Sequence, residues 1–541
     1  MALKHDSEHV EHGLSYAYNA ADLNDMVRAA EAATEKERQM GILQALKTYP
    51  KAVFYSMSLS FCLVMEGYDL ALTSNFFALP QFRERFGTPV GHDDYQITAP
   101  WMSALQNGAQ VGQIIGLMIT GVITDRFGYK KTLIGALVAI SCFIFLFFFA
   151  QNIEMLLAGG ILCGIPWGAF QILATTYTAD ITPIPLRPIL TTYVNMCWVF
   201  GQLISVGVLR GFLSREDNWA WRIPYAIQWV FPPVIIIAVV FAPESPAWLV
   251  RKDRFEEARR SLRVLIKGMS DSEIAATLAM ITYTDKLEKE THEGTSYLDC
   301  FKGVNLRRTE ITCLTWVTQV ACGIWFGSNI TYFLQQAGFS AESSFDVGVG
   351  QSAVSVLGTL GAWFLLPRVG RRRLYLVGLC AMLTLLMTIG FMGIPSRLQA
   401  IGWASGALMI VFVIVFSLTI GPVCYCLVAE IPASRLRVKT VVLARNTYNI
   451  VAIAANFLNA PILNPTAWNL RGKGGFVWAG PCALILVWVF FRLPETKGRS
   501  YVELDVLFEQ GVSARKFATT EIFAFEQELE SKPTAKEAAE Q

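Results

Sequence analysis

The chain has 541 residues, of which 53% are hydrophobic and only 16% are charged, and its formal net charge is +2. Soluble proteins average about 25% charged residues, so this composition indicates a membrane protein. Such a small net charge provides no basic field, and no nucleic-acid partner is expected. The eleven cysteines and five histidines are not spaced as metal ligands, and no nucleophile–base pair or phosphate-binding loop stands out. We therefore expect no enzyme activity, no metal and no cofactor.

The first 50 residues are polar and charged, which is typical of a cytosolic segment rather than of a cleaved signal peptide. Beyond them, apolar stretches recur, each close to the roughly 20 residues that a membrane-spanning helix needs. We number these stretches spans 1 to 12; they lie near residues 53–79, 98–122, 132–150, 155–177, 189–209, 223–242, 311–335, 347–367, 374–394, 398–428, 438–461 and 474–491. The predicted fold is an all-α polytopic membrane protein with twelve transmembrane helices.

Lys and Arg are concentrated in the connections that follow the even-numbered spans, such as "TDRFGYKK" and "LPRVGRRR". The positive-inside rule places these connections and both termini in the cytosol. We expect the membrane that the spans cross to be the plasma membrane. The predicted units are a cytosolic N-terminal segment (residues 1–50) and a first six-helix half (51–243). A cytosolic linker with short helices (244–309), a second six-helix half (310–493) and a cytosolic tail (494–541) follow.

The two halves repeat each other. When Gly128 is aligned with Gly370, Arg126 meets Arg368. At nearly the same offset, the ends of spans 4 and 6 match those of spans 10 and 12, which pairs Asp180 with Glu430, Arg187 with Arg437 and Glu244 with Glu495. Membrane transporters are commonly built from such repeats, with the substrate held between them near the bilayer midplane. The repeat therefore favours a transporter.

The motifs "PESPAWL", "WRIP", "GPVCY" and "PETKGRS" together resemble the sugar-porter branch of the major facilitator superfamily. More narrowly, "MEGYDLALTSNFFALPQF", "ILCGIPWG" and "NPTAWNLRGKGGFVW" resemble the fungal α-glucoside:proton symporters of the maltose-permease type. The resemblance runs from about residue 50 to 510. It implies import of maltose-like α-glucosides with protons by alternating access. The expected partners are the sugar, the proton and the lipid bilayer, with the chain acting as a monomer.

Acidic and basic residues recur at the cytosolic ends of spans in both halves. In the family such residues form pairs that latch the outward-open state, and the alternative is that the positive residues only hold the loops inside. The predicted gate residues are Asp125, Arg126, Arg187, Glu244, Arg368, Glu430, Arg437 and Glu495. In the second half Pro367 stands where the first half has Asp125, so the latch is expected to be lopsided.

Three ionisable residues lie well inside the spans: Glu66, Asp69 and Arg445. Each costs a few kcal/mol or more at the centre of a membrane helix, so such residues usually face a cavity and pair. Glu66 and Asp69 share one helix face, where two charged carboxylates repel each other. We expect one carboxylate to pair with Arg445 and the other to take up a proton. The alternative is a purely structural ion pair between spans 1 and 11.

The resemblance assigns the proton site to Asp69, and it also exposes two departures. Many proton-coupled sugar porters have an arginine in span 4 where this chain has Gly160. Maltose permeases tend to carry an acid in span 2 where this chain has Gln113. A proton-independent sugar facilitator therefore stays open as a second function. A non-transporting sugar sensor is the third, although the tail is short for a sensor.

Sugar binding needs amides and hydroxyls for hydrogen bonds and aromatic faces for the apolar side of the ring. For any single residue, the alternative is a polar contact between helices. The resemblance places the family's sugar-contact positions at Asn195, Gln319, Asn329, Tyr425, Tyr448 and Asn449, and Trp325 adds a stacking face. Gln113, at the family's acid position in span 2, completes the predicted sugar-binding set.

Overall fold

The computed structural model describes residues 40–90, 95–183, 185–268, 270–292, 296–366, 368–394, 399–433, 436–497, 499 and 501–520. The predictions for the N-terminal segment before residue 40 and for the tail after residue 520 lie outside these residues, as does the side chain of Arg187.

The first half consists of six long helical spans. Span 1 is Pro50–Phe76, span 2 Ala99–Phe127, span 3 Tyr129–Phe148, span 4 Ile153–Ile181 and span 5 Arg187–Phe212. Span 6 is made of Trp219–Ile227 and Phe231–Phe241, joined by the 3-10 turn Gln228–Val230. The break precedes two consecutive prolines, which cannot donate backbone hydrogen bonds to the turn before them.

The second half repeats this arrangement. Span 7 is divided into Gly303–Ala321, Ile324–Ser328 and Ile330–Gln336, and span 10 into Gln399–Leu418 and Ile420–Glu430. The unbroken helices are span 8, Ala341–Leu365; span 9, Arg371–Met392; span 11, Arg437–Leu463; and span 12, Gly474–Arg492. The predicted twelve-span all-α fold is confirmed. Span 7 begins eight residues before the predicted position, because its polar first turns continue the helix beyond the apolar stretch.

Short helices, 3-10 turns and strands lie at the two ends of the bundle. Helices Ile42–Thr48, Pro246–Arg251, Phe255–Leu265, Asp271–His292 and Tyr501–Glu509 and the 3-10 turns Tyr297–Phe301 and Ala514–Lys516 lie at one end, which we call the linker end. At the opposite end, called the far end, lie helix Pro80–Phe86, the 3-10 turn Arg471–Lys473 and an antiparallel pair of two-residue strands, β1 (Thr88–Pro89) and β2 (Tyr95–Gln96).

Spans 1 and 2 are more polar than the others. Among the described residues, ten helices satisfy both the length and the hydropathy expected of a membrane span, and spans 1 and 2 are not among them although they are 27 and 29 residues long. Their buried faces include Glu66, Asp69, Asn107, Gln110 and Gln113. A helix that faces a polar interior can carry such residues because it is shielded from lipid by its neighbours.

Glycines allow these two spans to approach their neighbours closely. A Cβ added at Gly112 of span 2 would lie 2.1 Å from the backbone oxygen of Ile161 in span 4. A Cβ added at Gly67 of span 1 would lie 2.2 Å from the backbone oxygen of Trp198 in span 5. Small residues at such crossings let membrane helices pack by backbone contact. The packing fixes the rotation of span 1, and with it the direction of both carboxylates.

Polar contacts join the two halves at the far end. Arg210 of span 5 pairs with Glu342 and Asp346 of span 8 at 2.8 and 2.6 Å. The side chain of Gln335 donates to the backbone oxygen of Ala78 at 2.7 Å. In this structure the halves are therefore closed against each other at the far end.

Candidate functional site

A large cavity lies between the halves, on the far-end side of the bundle centre. It contains about 1170 Å³ of empty space, counted with its opening, and spans of both halves line it. Its wall includes Asp69 from span 1 and Trp325 and Asn329 from the broken part of span 7. The cavity therefore has the position expected of a substrate site, between the two repeats of a transporter.

Asp69 is buried on this wall, with 1% of its surface exposed. Its Oδ1 accepts a hydrogen bond from the side-chain amide of Gln228. Gln228 belongs to the 3-10 turn that interrupts span 6, so the break in that helix places the amide beside the carboxylate of Asp69. This partner is neutral and leaves the charge of an ionised Asp69 uncompensated.

Glu66 lies one helical turn away in a different environment. Its Oε1 accepts from the amide of Gln113 at 3.1 Å and from the amide of Gln171 at 2.6 Å. Its buried Oε2 has no hydrogen-bond partner among the described residues. Gln113, predicted to bind sugar, is 1% exposed and here donates to Glu66.

Arg445 reaches Glu66 through an intermediary rather than directly. Its Nε donates to the carbonyl oxygen of Gln171 at 2.9 Å, while the amide nitrogen of Gln171 donates to Glu66. The guanidinium carbon also lies 4.6 Å from the ring centroid of Trp316 and 4.5 Å from that of Tyr448. The predicted contact between Arg445 and a carboxylate of span 1 is therefore bridged by an amide from span 4. The spacing of spans in the sequence carries no information about such a third residue.

The predicted sugar-binding residues fall into separate groups. Trp325 and Asn329 line the cavity. Tyr425 and Tyr448 pack against Trp316 beside Arg445. Their ring centroids lie 5.1 and 5.4 Å, respectively, from the ring centroid of Trp316.

The remaining predicted sugar-binding residues make other contacts or none. The amide of Gln319 donates to the backbone oxygen of Gly421 at 3.0 Å, which makes it a contact between spans 7 and 10. Asn195 is half-buried on span 5. Asn449 is completely buried, and in the described part of the chain neither its amide nitrogen nor its oxygen has a partner.

Sequence reasoning missed several amides on the cavity wall. They come from spans 2, 5, 8 and 11: Gln106, Gln110, Gln202, Gln351 and Asn456. It also missed Gln171 and Gln228, the partners of the two carboxylates. One pattern was available in "QNGAQVGQ", where Gln106, Gln110 and Gln113 recur at helical spacing and form a polar stripe on span 2.

At the linker end, the acids of the two repeats have equivalent partners. Glu244 accepts from the backbone N–H of Tyr129 at 3.0 Å, and Glu495 accepts from that of Arg371 at 2.7 Å. Each carboxylate thus caps the first turn of span 3 or span 9, where helix N–H groups lack partners. Gly128 precedes span 3 with φ 89°, and a Cβ there would lie 2.7 Å from a carboxylate oxygen of Glu244.

The second pair of acids is also matched. Ser245 donates to Asp180 and Thr496 donates to Glu430, at 2.6 and 2.5 Å. Two arginines outside the predicted gate set lie near these acids: Arg251 is 3.9 Å from Asp180, and Arg371 is 3.1 Å from Glu430.

Other predicted gate residues also lie at the linker end. Asp125, Arg126 and Arg368 are exposed, and Arg437 begins span 11. The contacts of Glu244, Glu430 and Glu495 described here stay within one half, because each acid lies beside the helix start or loop of its own repeat.

Comparison with known proteins gives this arrangement a family. A family model described as "Sugar (and other) transporter" matches residues 56–508. The chain belongs to the sugar transporter family. Relatives from Saccharomyces cerevisiae include the alpha-glucosides permease MPH3, 40% identical over 93% of the transporter and 85% of the relative. The maltose permease MAL31 is 40% identical over 93% and 83% of the two chains, and the general alpha-glucoside permease is 41% identical over 92% and 81%.

Solved structures give the same fold. The proton:xylose symporter XylE bound to 6-bromo-6-deoxy-D-glucose superposes with a TM-score of 0.68 at 19% identity, covering 85% of the transporter and 100% of XylE. An inward-open form of XylE from E. coli gives 0.62 at 20% identity, covering 84% and 99%. The transporter is therefore a multi-pass membrane protein with the major facilitator fold. Its activity is transport rather than catalysis.

Proposed function

We propose that the transporter imports α-glucosides such as maltose together with protons across the plasma membrane, by alternating access. The names of its relatives as α-glucoside and maltose permeases support the substrate class. The name of the structural neighbour as a proton:xylose symporter supports coupling to protons. In this proposal the chain works as a monomer within the lipid bilayer.

The observation that carries the proposal is the different surroundings of the two carboxylates. Asp69 lies on the cavity wall against the neutral amide of Gln228, whereas Glu66 is connected to Arg445 through Gln171. An ionised carboxylate without a cation is costly in a closed, dry cavity. Asp69 is therefore the proposed proton site, and Glu66 with Arg445 forms a charge-balanced link between the halves.

Proton binding would then permit closure over the sugar. With Asp69 neutral, the halves can close without stranding a charge, and without the proton they cannot. One charge crossing 100 mV provides about 2.3 kcal/mol, and one pH unit adds about 1.4 kcal/mol. Together they support accumulation of several hundredfold, at roughly 1.4 kcal/mol per tenfold.

The proposed units are the rocking halves 51–243 and 310–493, with the linker 244–309 and both termini in the cytosol. The lysines and arginines of the linker support this orientation, because the positive-inside rule places such segments in the cytosol. The far end then faces outward. The predicted gate residues lie at the linker end, where the halves would separate and rejoin as they rock.

A facilitator that carries sugar without protons is the second candidate. Gly160 also lines the cavity, and a Cβ built there would meet only ordinary contacts, 3.8 Å from Ala109 and 3.9 Å from Leu105. The position therefore has room for a side chain but supplies no cation near Asp69.

One uptake experiment distinguishes the two candidates. The transporter is expressed in fungal cells that lack α-glucoside uptake, and labelled maltose, trehalose and turanose are added to deenergised cells in weakly buffered medium. Symport should alkalinise the medium and depolarise the membrane as sugar enters. Entry of labelled sugar without either change identifies a facilitator, and entry of none of the three sugars contradicts the α-glucoside assignment.

A further inference from the structure

Four buried polar atoms on the cavity wall have no hydrogen-bond partner among the described residues. They are two acceptors, Oε1 of Gln110 and Oδ1 of Asn456, and two donors, the indole Nε1 atoms of Trp167 and Trp325. Gln110 and Asn456 are 3% and 1% exposed. Leaving a buried polar atom unpaired costs about 1–3 kcal/mol. Such atoms around one cavity point to a ligand that completes their hydrogen bonds.

The mixture of donors and acceptors defines the chemistry of that ligand. A hydroxyl both donates and accepts, so a neutral polyhydroxylated molecule can pair with the amide oxygens and the indole N–H groups at once. Asp69 on the same wall disfavours an anion. Aromatic side chains also provide faces for the apolar side of a sugar ring.

Two amides of span 2 are available in the same way. Gln106 and Gln110 lie one helical turn apart and both line the cavity. Within the described residues neither side-chain amide makes a hydrogen bond to the protein. They therefore present adjacent donors and acceptors on one helix face.

Asn456 connects this wall to the closed far end. Its amide nitrogen donates to Oδ1 of Asn107 at 2.9 Å, and its backbone oxygen accepts from Ser103 at 3.2 Å. Asn107 in turn donates to the backbone oxygen of Ile453 at 3.3 Å. These bonds join span 2 of one half to span 11 of the other. They leave Oδ1 of Asn456 free on the cavity wall.

We propose that Gln106, Gln110 and Asn456 form a sugar subsite across the contact between spans 2 and 11. Sugar bound there engages both halves and so favours the closed far end. Asn107 is a positioning residue, because it accepts from Asn456 and thereby turns the Asn456 oxygen toward the sugar. The inference rests on the proposed function, which supplies the carbohydrate as ligand.

Maltose binding to the purified full-length transporter in detergent tests the subsite. Gln110→Met and Gln106→Met keep the side-chain length and remove the hydrogen bonds, and each should raise the Kd for maltose roughly tenfold. Val111→Met is the matched control, since Val111 is the next residue of span 2 and is 40% exposed on the outer face. Gln106 is half-buried, so its variant tests the proposal even if the Gln110 variant does not fold.

Asn107 is tested by a rescue. Asn107→Ala removes the acceptor for Asn456 and should weaken maltose binding although Asn107 does not line the cavity. Asn107→Asp keeps an acceptor oxygen and should bind maltose more tightly than Asn107→Ala. Equal binding by both variants overturns the positioning role, whatever their stability.

The outcomes separate this inference from the proposed function. Maltose binding by the wild type with unchanged Kd in both methionine variants overturns the subsite and leaves the α-glucoside function standing. Binding of no α-glucoside by a folded wild type overturns both.

Discussion

The side-chain carbonyl of Gln171 in span 4 accepts a hydrogen bond from Nε of Arg445 in span 11 at 2.9 Å. The same amide donates to Glu66, so its orientation is fixed by a cation on one side and an anion on the other. The neutral amide of Gln171 thus links the cation of one half to the anion of the other, and it does not gain or lose a proton itself.

The first prediction concerns this bridge. Gln171→Met keeps the side-chain volume but removes both bonds, leaving Arg445 and Glu66 without a shared partner. A lost bond to a charged group costs about 1.5–3 kcal/mol, so we expect a less stable transporter that accumulates less maltose per proton. The measurement is the ratio of medium alkalinisation to labelled maltose uptake. Ile172→Met, at the next position, is the control. An unchanged ratio together with unchanged thermal stability would show that the bridge is dispensable.

The second prediction concerns Asp69, the proposed proton site. Asp69→Asn keeps an acceptor for Gln228 but cannot exchange a proton, so uphill accumulation of maltose should be abolished. Exchange of labelled for unlabelled maltose across the membrane should persist, because it needs no net proton movement. Glu154→Gln, at an exposed carboxylate in the first turn of span 4, is the control. Normal accumulation by the Asp69 variant contradicts the proton-site assignment.

The third prediction distinguishes the two carboxylates of span 1. Arg445→Ala leaves Glu66 without its bridged cation, and losing a hydrogen bond to a charged group costs about 1.5–3 kcal/mol. Adding Glu66→Gln should restore folded protein at the membrane, whereas adding Asp69→Asn should not, because Asp69 contacts Gln228 instead. Folded protein is measured by size-exclusion chromatography of fluorescent fusions. Equal recovery of folded protein in both double variants would argue against different partners for Glu66 and Asp69.

The fourth prediction concerns the helix cap at Glu244. Burial raises the pKa of Glu244. Its contribution to stability is therefore present below the ordinary glutamate pKa of about 4.3 and is lost as pH rises through the raised value. Glu244→Gln remains neutral and still accepts from Tyr129, so it should reduce this loss of stability with pH. Glu244→Ala lacks the acceptor and should cost about 1–3 kcal/mol at low pH, where the carboxyl is neutral, and less as pH rises.

Thermal unfolding of the purified transporter between pH 4 and 8 checks these expectations. Glu256→Gln, at an exposed carboxylate of the linker-end helix Phe255–Leu265, is the control. If the Gln and Ala variants of Glu244 unfold alike across this range, the carboxylate is not a cap.

The sequence by itself determined the twelve spans, the duplicated halves and the family. A membrane helix needs a continuous apolar stretch of fixed length, and this requirement is local and can be counted along the chain. It also singled out Glu66, Asp69 and Arg445, because any charge inside such a stretch is costly and therefore conspicuous. The aligned Pro-Glu motifs placed Glu244 and Glu495 at equivalent positions for the same local reason.

Only the tertiary structure decided which groups these residues meet. Whether Arg445 reaches Glu66 directly or through Gln171 depends on the rotation and spacing of spans that lie more than 200 positions apart in the chain. The close packing of Gly67 and Gly112 against backbone of neighbouring spans sets that rotation. The broken helix of span 6 delivers Gln228 to Asp69, and helix periodicity alone does not predict the break. The cavity and its unpaired amides follow from these same contacts, because they exist only where helices from both halves meet.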